Sequence, residues 1–194
     1  MYIDNSWYGH KKIILDYLNL KNQTLFASIQ HGWLLEERAK ITKYGKRKFT
    51  LAPFLCWNKK IKTIIEKNKI LNVYSIGAPF LYLCEINKKL IEKKRSNVGT
   101  LAFPFHSTHE EKITFDHEAF INKIENYFTP PYSVSLYSED LNTNITSLYK
   151  NKNWKIISFG RRENIDFMEK FLFEVIKYKT IVFSEVSTGF FYSM

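Results

Sequence analysis

Apolar residues recur along this chain at two spacings, and the changes from one to the other mark out its elements. In 7–20, WYGHKKIILDYLNL, Ile14, Tyr17 and Leu18 fall at helical spacing, and after the polar NQ the segment TLFASIQ (24–30) predicts a strand. FTLAPFLCW (49–57) predicts an extended segment interrupted by Pro53. NKKIKTIIEKN (58–68) predicts a short helix with Ile61, Ile64 and Ile65 on one face, and ILNVYSIGAP (70–79) a buried strand stopped by Gly-Ala-Pro.

From Gly99 onward the alternation is regular. A strand and loop, GTLAFPFHSTHE (99–110), lead to a helix over 116–128, a strand over 132–138, a helix near 142–151, a strand over 154–159, a helix over 164–178 and a strand over 180–184. Strands and helices alternating at these lengths predict parallel strands joined by crossover helices. The 164–178 helix is expected to start at Asn164 as N-cap and to bury Phe167, Phe171, Leu172 and Val175. The expected organisation is a small α/β lobe over 1–86, a basic connector with a helical start over 87–98, and a Rossmann-like lobe over 99–194.

Composition supports a packed protein: 194 residues, 45% hydrophobic and 16% aromatic, with sparse Gly and Pro and no internal repeat. Charge divides the halves. Residues 1–97 hold 19 lysines and arginines against 7 acidic residues, a net +12, and residues 98–194 hold 10 against 12, a net −2. The runs KYGKRK (43–48), NKKIK (58–62) and NKKLIEKKR (87–95) suit an anionic membrane surface or a polyanionic substrate, or equally a solvated lysine-rich face. Nucleic acid is disfavoured, because the many Tyr and Phe lie at core periodicity and do not interleave with the basic residues.

Cys56 and Cys84 sit in apolar, strand-like contexts with no partner at metal spacing, which predicts buried free thiols in a reducing compartment. No export signal opens the chain, and its longest charge-free run, 70–84, is short for a bilayer span, so a cytoplasmic protein is expected, peripheral at most on the inner face of the membrane. There is no Walker loop, no GxGxxG, no zinc spacing and no GxSxG; neither a metal nor a cofactor is expected.

In a parallel sheet, ligands collect at the carboxyl ends of the strands. The sequence puts a polar set there. His31, followed by Gly32, is a candidate general base. In FPFHST, His106, Ser107 and Thr108 form a cluster of donors for a phosphate or sugar hydroxyl, with an N-cap as the plainer role for Ser107 or Thr108. Arg161 and Arg162 follow Gly160, where a guanidinium can grip a diphosphate, although one of them is expected to pair with Glu163 or Asp166. In SEVSTG, Glu185 can hold ribose or sugar hydroxyls, while Ser187, Thr188 and Gly189 open a helix toward a phosphate.

The order SIQHGW, Trp57, NVYSIGAPFLY, GTLAFPFHS, a strand ending FGRR with NIDFMEKFL, and SEVSTGFFYSM resembles the two-lobed GT-B glycosyltransferase-like proteins of bacterial surface-polysaccharide synthesis, of capsule or lipopolysaccharide. QHG is similar to the HG segment of the CDP-glycerol glycerophosphotransferase group. The resemblance implies a GT-B-like α/β fold with parallel Rossmann-type sheets in two lobes, the first small and the second incomplete. It also implies a nucleotide-activated sugar or glycerol donor on the second lobe and a glycan or lipid-linked acceptor on the first. His31 would be the base, His106 and Ser107 would line the cleft, and Ser187, Thr188 and Gly189 would meet the donor's phosphates. Such enzymes continue the helix opened at Ser187 with a further strand and a closing helix. Only a few residues follow here, so the expectation is a phosphate-binding corner whose downstream support is missing. The alternative is a non-catalytic relative that binds a membrane or a partner.

Overall fold

The computed structural model describes residues 6–21, 23–33, 52–67, 72–94, 97–106 and 113–194. The chain divides into two compact units, Met1–Asn87 with Glu163–Ile165, and Lys88–Arg162 with Asp166–Met194. Both are α/β, and each holds one parallel sheet.

In the first unit a 3-10 turn at Trp7–Gly9 leads into helix α1, His10–Tyr17. Three short strands follow, β1 (Ser28–Ile29), β2 (Phe54–Cys56) and β3 (Val73–Ser75), with helix α2 (Lys59–Lys67) between the last two and helix α3 (Pro79–Ile86) after them. The strands pair in sequence order, Ser28 opposite Phe54 and Phe54 opposite Val73. The predicted stripe of α2 is the one observed: Ile61 and Ile65 are buried with Phe54, Cys56 and Val73, and Ile64 packs at their edge. Asn58 starts this helix by accepting the Ile61 N–H on its side chain (2.9 Å).

Helix α3 differs from expectation. Residues 70–84 form a charge-free, mostly apolar run, in which spacing alone does not separate a buried strand from a buried helix. Pro79 decides the matter, because its fixed φ and missing N–H suit the first turn of a helix. Cys84 therefore lies on a helix that packs against α1, and not in a strand-like segment. Both cysteines are free thiols, and burial pushes both up in pKa.

The second unit opens with helix α4 (Lys88–Lys94), which occupies most of the segment expected as a connector. It continues through β4 (Thr100–Phe103), α5 (His117–Tyr127), β5 (Tyr132–Ser135), α6 (Asn144–Asn151), β6 (Lys155–Ile157), α7 (Phe167–Val175), β7 (Thr180–Phe183) and α8 (Thr188–Tyr192). The sheet order is β6-β5-β4-β7, with every neighbouring pair parallel. Leu101, Ala102 and Val134, from the two central strands, are wholly buried. Ile121 and Ile124 of α5, Tyr149 of α6 and Trp154 close over Ala102 and Val134.

Local chemistry sets the helix starts. Asp116 accepts the Ala119 N–H (2.9 Å) ahead of α5, and Thr143 accepts the Ile145 N–H (3.3 Å) ahead of α6. For α7 the N-cap is Asp166 and not the expected Asn164, and Glu163–Ile165 group with the first unit. Its expected inner stripe is present in Phe171, Leu172 and Val175, joined by Met168, while Phe167 is half-buried.

Candidate functional site at the strand ends

Within the second unit, β4 is first in sequence yet lies inside the sheet. The chain moves from it to β5 and β6 on one side, then returns to place β7 on the other. Such a reversal leaves a crevice outside the carboxyl ends of the two strands that flank it, here β4 and β7. Phe103 and Phe183 stack in parallel at 4.4 Å as the last paired residues of these strands. Beyond them the Ser184 N–H still donates to the Phe103 carbonyl (3.0 Å).

The sheet order therefore brings the His106 segment and the 184–189 segment to neighbouring strand ends. The His106 ring is exposed and stacks on Tyr137 at 4.7 Å. Ser187 takes the plainer of its possible roles, with its hydroxyl accepting the Phe190 N–H (3.4 Å) as N-cap of α8. A Cβ on Gly189 would stand 3.2 Å from the Phe183 ring and 3.6 Å from Phe171, so the missing side chain lets α8 pack tightly on the core. Thr188 is half-buried and Glu185 exposed. Ser107 and Thr108 lie outside the described residues.

Arg161 and Arg162 follow β6, three strands from β7, a separation of roughly 14 Å. Arg161 Nε is 3.7 Å from a Glu139 carboxylate oxygen, with a side chain 70% exposed. The expected pairing with Glu163 or Asp166 is not the one observed for Arg161. Asp166 holds Lys170 at 2.9 Å.

Sequence reasoning missed a buried polar group behind this edge. Asp140 is only 4% exposed. Its backbone is pinned, since its N–H donates to the Tyr137 carbonyl (3.0 Å) and its own carbonyl accepts the hydroxyls of Thr143 (2.7 Å) and Thr146 (3.4 Å). No donor among the described residues reaches its carboxylate. Burial pushes its pKa up, the charge of His106 opposes this, and Glu139 adds to it. Behind it the Tyr149 hydroxyl, itself pushed up by burial and by Asp140, hydrogen-bonds His117 Nδ1 at 3.0 Å.

Because the folded-state pKa of Asp140 is raised, the native state holds its proton more tightly than the unfolded chain does. Stability is therefore lost as pH rises from the unfolded value through the folded one. Asp140→Asn removes this loss. The variant is expected to be more stable than the wild type at neutral pH, the gap closing as pH falls toward the range of an unfolded carboxylate, as measured by urea melts. A variant less stable at pH 7.5 would mean that the carboxylate is held by donors after all.

In the first unit the ends of β1 and β2 are locked together by one residue. Gln30, 1% exposed, accepts the Trp57 backbone N–H on its side-chain oxygen (3.0 Å) and donates from its amide to the Gly32 carbonyl (2.7 Å). Its main chain accepts the Trp57 indole N–H (2.8 Å) and donates to Leu55 (2.9 Å). This lock fixes His31, the next residue, whose half-buried ring meets the Trp7 ring edge-on at 4.7 Å.

His10 lies close by, 1% exposed, with Trp57 edge-on at 6.2 Å. Burial first, and the charge of His31 second, hold its pKa down to about 3. The sequence did carry a signal for it, since His10 shares the apolar register of α1 with Ile13 and Ile14.

Of the basic runs, 43–48 lies outside the described residues, while Lys88, Lys89 and Lys93 are exposed on α4 beside a partly exposed Leu90. Among the described residues no helix is long and apolar enough to cross a membrane, and no three histidine, cysteine or acidic side chains are grouped to hold a metal ion. Comparison with known proteins finds no matching family model, no matching curated protein and no matching solved structure.

Proposed function

We propose that this chain is a GT-B-type transferase of bacterial surface-polysaccharide synthesis, passing a glycosyl or glycerophosphoryl group from a nucleotide-activated donor to a hydroxyl of a glycan or lipid-linked acceptor. The observation that carries the reading is the β6-β5-β4-β7 order, whose reversal at β4 and β7 sets His106 and the 184–189 segment on adjoining strand ends. The donor's phosphates would take hydrogen bonds from His106 and from the amides at the start of α8, and Glu185 would meet sugar hydroxyls. His31 would accept the acceptor's proton as its oxygen attacks, and the departing nucleotide phosphate would carry the negative charge away. On this reading the reaction proceeds at the cytoplasmic face of a membrane, where Lys88, Lys89 and Lys93 attract anionic lipid.

Nucleotide binding and turnover test this separately. Thermal melts with CMP, CDP, UMP and UDP should show stabilisation by at least one of them, because a ligand that binds only the folded state raises its stability. With the matching donor, His31→Ala should lower donor consumption by roughly 10²–10⁴-fold while leaving the nucleotide shift unchanged. A folded protein that responds to none of the four nucleotides at millimolar concentration would sink the reading.

A further inference from the structure

The two edge strands of the second unit's sheet differ in kind. Strand β6 carries Lys155, 64% exposed and paired with Glu174, a charge of the sort that keeps other strands away. Strand β7, Thr-Ile-Val-Phe, carries no charge and no proline, and all four of its residues are half-buried. On its inner side β4 takes up its hydrogen bonds. The N–H groups of Thr180 and Ser184 donate to the Gly99 and Phe103 carbonyls (3.2 and 3.0 Å), and Val182, opposite Ala102, lies between them in the same register. Alternation along a strand then turns the N–H and C=O groups of Ile181 and Phe183 outward, away from β4. Among the described residues no strand pairs with them.

Such an open row of donors and acceptors is matched by another extended strand, and the residues in and around β7 fit a second copy of themselves. In an antiparallel pair of two β7 strands centred on Val182, Ile181 of each copy stands opposite Phe183 of the other. Both facing pairs then exchange two main-chain hydrogen bonds about the two-fold axis. Val182 faces Val182, and Thr180 faces Ser184. The first charged residues beyond the strand, exposed Lys179 before it and exposed Glu185 after it, come opposite each other at both ends. A parallel, in-register pairing would set Lys179 beside Lys179 and Glu185 beside Glu185. The edge is complementary to itself in one direction and repelled in the other.

We propose that β7 is a self-association edge, through which two copies of this chain pair antiparallel across a two-fold axis and join their four-stranded sheets into one. The contact closes on itself, and Lys155 guards the outer β6 edges that remain, so the product is a dimer and not a filament. The inference does not rest on the transferase reading. A lysine takes one carboxylate oxygen of Glu185 and leaves the other for a sugar hydroxyl.

Sedimentation of the full chain over a micromolar concentration series should show a monomer–dimer equilibrium. Lys179→Glu and Glu185→Lys, each at an exposed position, replace attraction by repulsion at both ends of the pair, and each should raise the dimer dissociation constant roughly tenfold. The double variant restores opposite charges and should return to the wild-type value. Ile181→Pro removes an outward N–H from each strand and leaves the β4 ladder its partners, so it should abolish the dimer while the circular dichroism spectrum stays that of the wild type. Amide exchange reads the same edge directly. The Phe183 amide should exchange slowly in concentrated wild-type protein and rapidly on dilution, while the Val182 amide stays protected by β4 at both concentrations. A chain that remains monomeric throughout the series, or a dimer whose dissociation constant none of these substitutions changes, would overturn the inference.

Discussion

Gly99→Ala should destabilise the second unit by at least about 3 kcal/mol, because the substitution meets two independent obstacles at the entrance to its central strand. Gly99 has φ +68°, in the left-handed region, where a Cβ costs roughly 1–2 kcal/mol. That Cβ would also stand 2.2 Å from the Pro131 carbonyl oxygen and 2.9 Å from Pro131 Cδ. Retreat is blocked. The same Pro131 oxygen accepts the Thr100 N–H (3.0 Å), the Thr100 hydroxyl donates to Thr129 (2.8 Å), and the Gly99 carbonyl accepts the Thr180 N–H (3.2 Å) from β7. Any shift that relieves the overlap strains the pairing of β4 with β5, with β7, or with both. Gly77→Ala is the control. Its φ is +84°, but the nearest atom to a new Cβ is the Tyr82 hydroxyl at an ordinary 3.6 Å, so only the conformational cost of about 1 kcal/mol applies. Urea titrations of the two variants should differ accordingly, and equal losses would show that the Pro131 contact yields freely.

The contrast between the halves explains what the amino-acid pattern reveals. In the second unit each strand is short, flanked by turn residues and separated by a helix with a clear apolar stripe, so element type and parallel pairing follow from spacing. The first unit hides α3, since 70–84 is free of charge and mostly apolar, and Pro79 marks where extended chain gives way to helix. The start of α7 moved from Asn164 to Asp166, whose side chain makes no capping hydrogen bond, so no local cap signalled it.

The site was legible as a set of strand ends but not as an arrangement. Which ends adjoin depends on the return of β7 to the far side of β4, a choice made by packing of the whole sheet and not by any local spacing. That choice sets His106 beside the 184–189 segment and leaves Arg161 to Glu139. Asp140 and Gln30 were invisible for the related reason that their surroundings come from distant segments. Gln30 meets Trp57 across 27 residues, and Asp140 has its carboxylate beside a histidine of another strand end.

Replacing Gln30 by leucine is expected to cost about 2–4 kcal/mol and to lower turnover with it, although the two side chains are close in size. The variant leaves the Trp57 backbone N–H and the Gly32 carbonyl without their side-chain partners, each a partly buried group that loses a hydrogen bond and regains none from leucine. His31 sits between residues 30 and 32, so slack in this lock moves the candidate base directly. Gln30→Glu separates hydrogen bonding from shape. At neutral pH it keeps an acceptor for the Trp57 N–H but sets a negative charge in a position 1% exposed and loses the donor to Gly32. Burial would raise the pKa of that carboxyl, so the native state would bind its proton more tightly than the unfolded chain, and stability would rise as pH falls through the raised value. The protonated carboxyl has one donor and one acceptor, the same pair that the amide uses. Gln30→Glu should therefore approach wild-type stability on acidification, while Gln30→Leu stays destabilised at every pH. If the two variants track each other in urea melts from pH 4 to pH 8, the loss comes from shape, and the hydrogen-bonded lock between β1 and β2 does not hold His31 in place.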